Sequence, residues 1–169
     1  MPKQLLLFDD VNSWIELGDG VAIKIDYPNV EQHAEIQKLY NTIVMKRKQY
    51  FINKGIDFST LTADDIMNYS SETEEDIKHA TELESLGRAA EGLLVKYSLK
   101  DWTGFNNVNG EPIMLKLKQS KGINGTELSD LMFNSITYNQ ELFKDIYIAI
   151  AKKLSFTEID KKKSQSEES

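Results

Sequence analysis

Ile77, Ala80, Leu83, Leu86, Ala90, Leu93, Leu94 and Tyr97 recur every three to four positions, which places them on one face of a long α-helix. No other feature of the chain narrows its fold as much, because an apolar stripe that long must be covered by other elements. Ser71-Glu72-Thr73-Glu74 reads as a capping box opening this helix, which runs through about Tyr97. Glu72, Glu74, Glu75 and Asp76 crowd its start, where the helix dipole favours negative charge.

Two further stretches can supply the cover. Ile36, Leu39, Tyr40, Ile43, Arg47 and Tyr50 form a second stripe, interrupted by one long cation. Asn29 is its N-cap with Gln32 as reciprocal partner, and Asn53-Lys54-Gly55 is its stop. Leu142, Phe143, Ile146, Tyr147, Ile150 and Leu154 share one side of a last helix, about Asn139–Leu154. Ile148, Ala149 and Ala151 broaden that arc, so it is either deeply packed or a surface for a partner. On the second reading Leu142, Ile146, Ile150 and Leu154 are the partner-binding residues. Shorter helices are expected after Thr62, with Asp65 in the first turn, and over about Glu127–Ser135 with Thr126 as cap.

The first 28 residues read as β structure. Ser13–Leu17 and Val21–Tyr27 flank Gly18-Asp19-Gly20, a three-residue connection suited to a hairpin. Val21, Ile23, Ile25 and Tyr27 alternate with Ala22, Lys24 and Asp26, which predicts one buried face. Met114–Gln119 is a further short strand, followed by a loop at Lys121–Gly125. The expected fold is therefore α+β and mainly helical, with an N-terminal β-hairpin or small sheet packed on three to four helices. A length of 169 residues fits a single domain over 1–159, followed by a disordered polar tail at 160–169.

Composition removes several kinds of chemistry. Without cysteine there are no disulfides, thiolate metal sites or cysteine nucleophiles. A net charge of −7 with only two arginines, Arg47 and Arg88, argues against nucleic acid as partner. The basic runs Lys46-Arg47-Lys48 and Lys116–Lys121 read as solvated faces. Leu5–Phe8 and Ile146–Ala151 are too short to cross a bilayer, and the first residues lack the pattern of a signal peptide, so a cytoplasmic protein is expected. His33 and His79 stand apart from any ligand pattern, and Asp9, Asp10 and Asp19 read as turn residues. Gly18-Asp19-Gly20 lacks the third glycine of a dinucleotide loop, no G-x-S-x-G elbow occurs, and Asp64 and Asp65 diverge on a helix. A non-catalytic protein without metal or cofactor is expected.

The stretch Leu99-Lys100-Asp101-Trp102-Thr103-Gly104 ends the long helix, and Asn109-Gly110-Glu111-Pro112 follows. Gly104 turns the chain, the Asn-Gly pair turns it again, and Trp102 is expected to pin the turn onto the preceding helix. This wording resembles the tail assembly chaperones of long-tailed bacteriophages, in which a K-D-W-x-G turn and a D/N-G-E-x-P turn precede a helical end. Lys100, Asp101, Trp102, Gly104, Gly110 and Glu111 match, with Pro112 directly after Glu111 in the place of the pattern's proline one residue further on, and Met114–Gly125 is a segment beyond that pattern. The resemblance implies a protein of the infected host's cytoplasm that keeps the tape-measure protein soluble while tail-tube protein assembles around it. It leaves self-association open. Its alternative is a structural subunit of a phage head–tail connector or tail. Lys161-Lys162-Lys163 would, in such a family, be where ribosomal slippage makes a longer form.

Overall fold

The computed structural model describes residues 14–67, 73–122 and 124–166, as backbone only from 155 onward. The architecture is α+β and mainly helical, with a three-stranded antiparallel sheet packed on helices. Strands β1 (Trp14–Gly18) and β2 (Val21–Ile25) pair around Asp19-Gly20. Both turn residues have positive φ, 52° and 74°, the combination whose twist matches a hairpin. The connection is thus two residues, because Gly18 remains in β1 beyond a register shift after Glu16.

The third strand, β3 (Leu99–Thr103), pairs antiparallel with β2 and sets Trp102 opposite Ile23. This corrects the expectation of a turn at Lys100-Asp101-Trp102. The chain passes from helix to strand at Ser98–Leu99 with no glycine or proline between, because the open edge of β2 supplies the hydrogen bonds. Strict alternation in β2 also fails: Ala22 is buried along with Ile23 and Ile25, and a bulge separates Lys24 from Ile25.

Helix α1 (Val30–Asn53) begins as predicted. Asn29 Oδ1 accepts the Gln32 N–H at 2.9 Å, and Gln32 Oε1 accepts the Asn29 N–H at 3.0 Å. It ends in a Schellman motif, with Ile56 N–H on Phe51 O, Gly55 N–H on Ile52 O, and Gly55 at φ 73°. Helix α2 (Ala63–Met67) has the Thr62–Asp65 box. For α3 (Glu74–Ser98) the box is Thr73 with Asp76, two residues past the expected frame; Ser71 and Glu72 lie outside the described residues.

The C-terminal part departs further. Thr126 does not cap a helix; Thr126–Leu128 is β5, paired with β4 (Leu117–Gln119). Helix α4 (Asp130–Tyr138) starts at Ser129, whose Oγ accepts the Met132 N–H. Asn139 then closes α4 and caps α5 (Gln140–Ser166), accepting the Leu142 N–H at 3.2 Å. Helix α5 runs past Leu154 into the stretch expected to be an unstructured tail.

The backbone divides into two compact units, 1–32 with 94–169, and 33–93. Both boundaries cut through helices, α1 and α3, rather than through a linker. The first unit holds the core: Ile23 and Ile25 from β2, Val95 and Leu99, Leu128, Met132 and Ile136 from β5 and α4, and Ile146 and Ile150 from α5. The second is an antiparallel pairing of α1 with α3, in register through Lys46–Glu82, Tyr50–His79 and Lys54–Asp76.

Candidate functional site

The motif residues converge on one closed loop. From β3 the indole Nε1 of Trp102 donates to Ile113 O at 2.7 Å, and its ring lies 4.5 Å from that of Phe105. Trp102 therefore ties down the 105–113 loop, not the preceding helix as expected, because the ring projects from a strand. Asp101 Oδ1 accepts the Trp102 N–H at 2.8 Å. Gly104 has φ 87°, and a Cβ there would lie 2.2 Å from Gly20 O and 2.8 Å from Val21 Cα. Only glycine fits against the β1–β2 turn. Asn107 organises the second turn: its Oδ1 accepts the N–H groups of Asn109 and Glu111, and its Nδ2 donates to Glu111. Gly110 takes φ 80° and Pro112 bridges to Asn106. Asp101, Trp102, Gly104, Gly110 and Pro112 thus come together as the parts of one turn assembly.

The predicted partner stripe lies elsewhere. Ile146 and Ile150 are 0% exposed within the core, and Leu142 and Leu154 pack partly buried against it. This face of α5 is spent on the protein's own interior, which corrects its reading as an open surface. Burial of two isoleucines stabilises the fold by about 3–6 kcal/mol, which any partner would have to replace.

A polar network missed by sequence reading braces β4 and β5. Lys96 reaches Glu127 at 3.2 Å, and Lys118 reaches Glu127 at 3.4 Å and Asp130 at 2.7 Å. Burial pushes the Glu127 carboxyl up, but hydrogen bonds from Ser120, Lys96 and Lys118 outweigh it and hold it below its ordinary value. Lys100 Nζ donates to Thr126 O at 2.8 Å, and burial lowers its pKa. Gln32 Nε2 donates to Ser120 Oγ and Thr126 O, both at 3.0 Å. These groups are paired with one another and tie β4 and β5 to α1, α3 and β3.

In the second unit, buried Asp76 accepts from Tyr50 Oη and from Lys54 Nζ at 2.9 Å. Those two hydrogen bonds, Tyr50 first, hold its carboxyl well below the usual carboxylate range. His79 stacks on Tyr50 at 4.0 Å and 4° between planes. Its Nε2 is buried without a hydrogen-bond partner among the described residues, and burial lowers its pKa. The other histidine, His33, is exposed. Among the described residues no group of three His, Asp or Glu side chains is placed to hold a metal ion, and no helix is long and apolar enough to cross a membrane.

The opposite face of α1 remains open. Val44 is 56% and Met45 68% exposed, beside a shallow depression lined by Ala34, Gln37, Lys38, Asn41, Thr42, Met45 and Lys46. No protein-family model, curated protein or solved structure matches this chain.

Proposed function

We propose that this protein is a non-catalytic assembly factor of long-tailed bacteriophages, which acts in the host cytoplasm and keeps the tape-measure protein soluble during tail-tube assembly. The observation that carries the reading is the segment from Lys100 to Pro112, whose wording resembles that of tail assembly chaperones. The motif sets the local shape: Gly104, Gly110 and Trp102 each meet a steric or hydrogen-bonding demand of one turn assembly. The net charge of −7 would help keep a complex with an aggregation-prone helical protein dispersed.

Co-expression with the longest helical protein encoded downstream in the same locus tests this. The helical protein should become soluble and co-purify; if it stays insoluble while this chain elutes alone, the reading fails. A stoichiometric band in purified virions would instead make the protein a structural subunit. Aspartate at Ile146 or Ile150 is no control for binding, since both side chains are in the core.

A further inference from the structure

Helix α1 and the residue after it carry Lys38, Lys46, Arg47, Lys48 and Lys54 between Ile36 and Lys54, with no carboxylate among them, in a chain of net charge −7. Two of these cations are neutralised within the helix pair, Lys46 by Glu82 at 2.7 Å and Lys54 by Asp76 at 2.9 Å. Arg47 lies beside His79. Lys38 and Lys48 have no ion pair among the described residues. At about 100° per residue they fall on the same outer face as Ala34, Val44, Met45 and Ile52. Ile36, Leu39 and Ile43 occupy the opposite side, packed or half-buried. From Ile36 to Ile52 the outer face thus combines exposed apolar side chains with Lys38 and Lys48 and no carboxylate, over about 24 Å of helix, with Glu31 and Glu35 one turn or two before Lys38.

We propose that this outer face of α1 docks an amphipathic helix of the partner protein whose apolar stripe is bordered by Asp or Glu. This rests on the assembly-factor reading and names the surface that reading needs, since the α5 stripe is occupied. A partner helix of that kind covers Val44 and Met45 and pairs its carboxylates with Lys38 and Lys48. A second copy of this chain fits less well: the stretch 36–54 carries cations and no carboxylate, so the same face on both partners sets Lys38 and Lys48 against like charge.

The test uses the full chain co-expressed with the downstream-encoded helical protein. A photoreactive benzoylphenylalanine in place of Met45 should crosslink to a segment of that protein in which acidic residues border an apolar stripe. The same group in place of Tyr138, exposed on α4, should not. Lys38→Glu with Lys48→Glu should weaken capture about tenfold, with the circular dichroism spectrum and melting temperature unchanged. Capture that survives this double variant and Met45→Ser, or a crosslink from position 45 to a second copy of this chain, overturns the surface and leaves the assembly reading standing. If the unaltered chain captures nothing, the assembly reading fails and this surface falls with it.

Discussion

Two isoleucines two residues apart on α5 are expected to respond very differently to truncation. Ile150 is 0% exposed in the core, whereas Ile148 is 48% exposed on the other side of the same helix. Ile150→Ala removes buried methyl and methylene groups and leaves a cavity, because Ile23, Leu128 and Ile136 of the same core belong to two sheets and a helix that cannot all close in. Such truncations cost about 2–5 kcal/mol. For a chain of this size each kcal/mol lowers the melting temperature by about 2–4 °C, so a mid-range loss of about 3 kcal/mol gives roughly 6–12 °C. Ile148→Ala should stay within about 0.5 kcal/mol, since little area is lost and alanine favours the helix. Urea denaturation with the slope held in view is the assay, with Ile150→Val as a graded control at about 0.5–1.5 kcal/mol. Equal losses at the two positions, or an unaffected Ile150→Ala, would refute the placement of this face of α5 in the core and reopen it as a docking surface.

The turn assembly and the helix pair yield further tests. Gly104→Ala should destabilise by about 2 kcal/mol or more through positive φ and the clash with Gly20, whereas Gly110→Ala, with open space around it, should cost only the left-handed backbone, about 1 kcal/mol. Urea midpoints that do not separate the two would count against the close approach of Gly104 to the hairpin. Trp102→Phe leaves Ile113 O without its donor and should cost about 1–3 kcal/mol, and hydrogen exchange in the 105–113 loop should quicken; unchanged exchange would remove the indole's anchoring role. His79, faced by Lys46, Arg47 and Tyr50 from α1 and by Asp76 and Glu82 on α3, has a folded pKa below its ordinary 6.5. The unfolded chain therefore takes up the proton first, and stability present above pH 6.5 declines as pH falls toward the folded value. His79→Phe keeps a ring on Tyr50 and should flatten that decline in melting temperature, a change that would fail to appear if His79 were solvated. The carboxyl of Asp76 acts in a separate window: its lowered pKa contributes stability above about 3.8 that is lost only as pH falls further.

The sequence by itself determined what depends on neighbours a few residues away. The cap at Asn29–Gln32, the stop at Gly55, the Thr62–Asp65 box and the positive-φ glycines of the hairpin and the 105–113 loop all involve partners within one turn of chain. Their signals are local, so residue type and spacing suffice. The tertiary structure alone decided three things. Lys100-Asp101-Trp102 became a strand because β2, far away in sequence, offers an edge, and Thr126–Leu128 became one because β4 pairs with it. The apolar stripe of α5 was legible as a stripe, yet period alone cannot say whether the protein or a partner covers it. That was decided by Ile23, Leu99 and Leu128 converging on Ile146 and Ile150. Likewise the lysines of α1 were visible as a charge run, but which were paired and which faced outward depended on the position of Glu82 and Asp76 on α3. Hydrogen bonds along a turn are encoded where they occur, whereas burial and ion pairing belong to whatever the fold brings alongside.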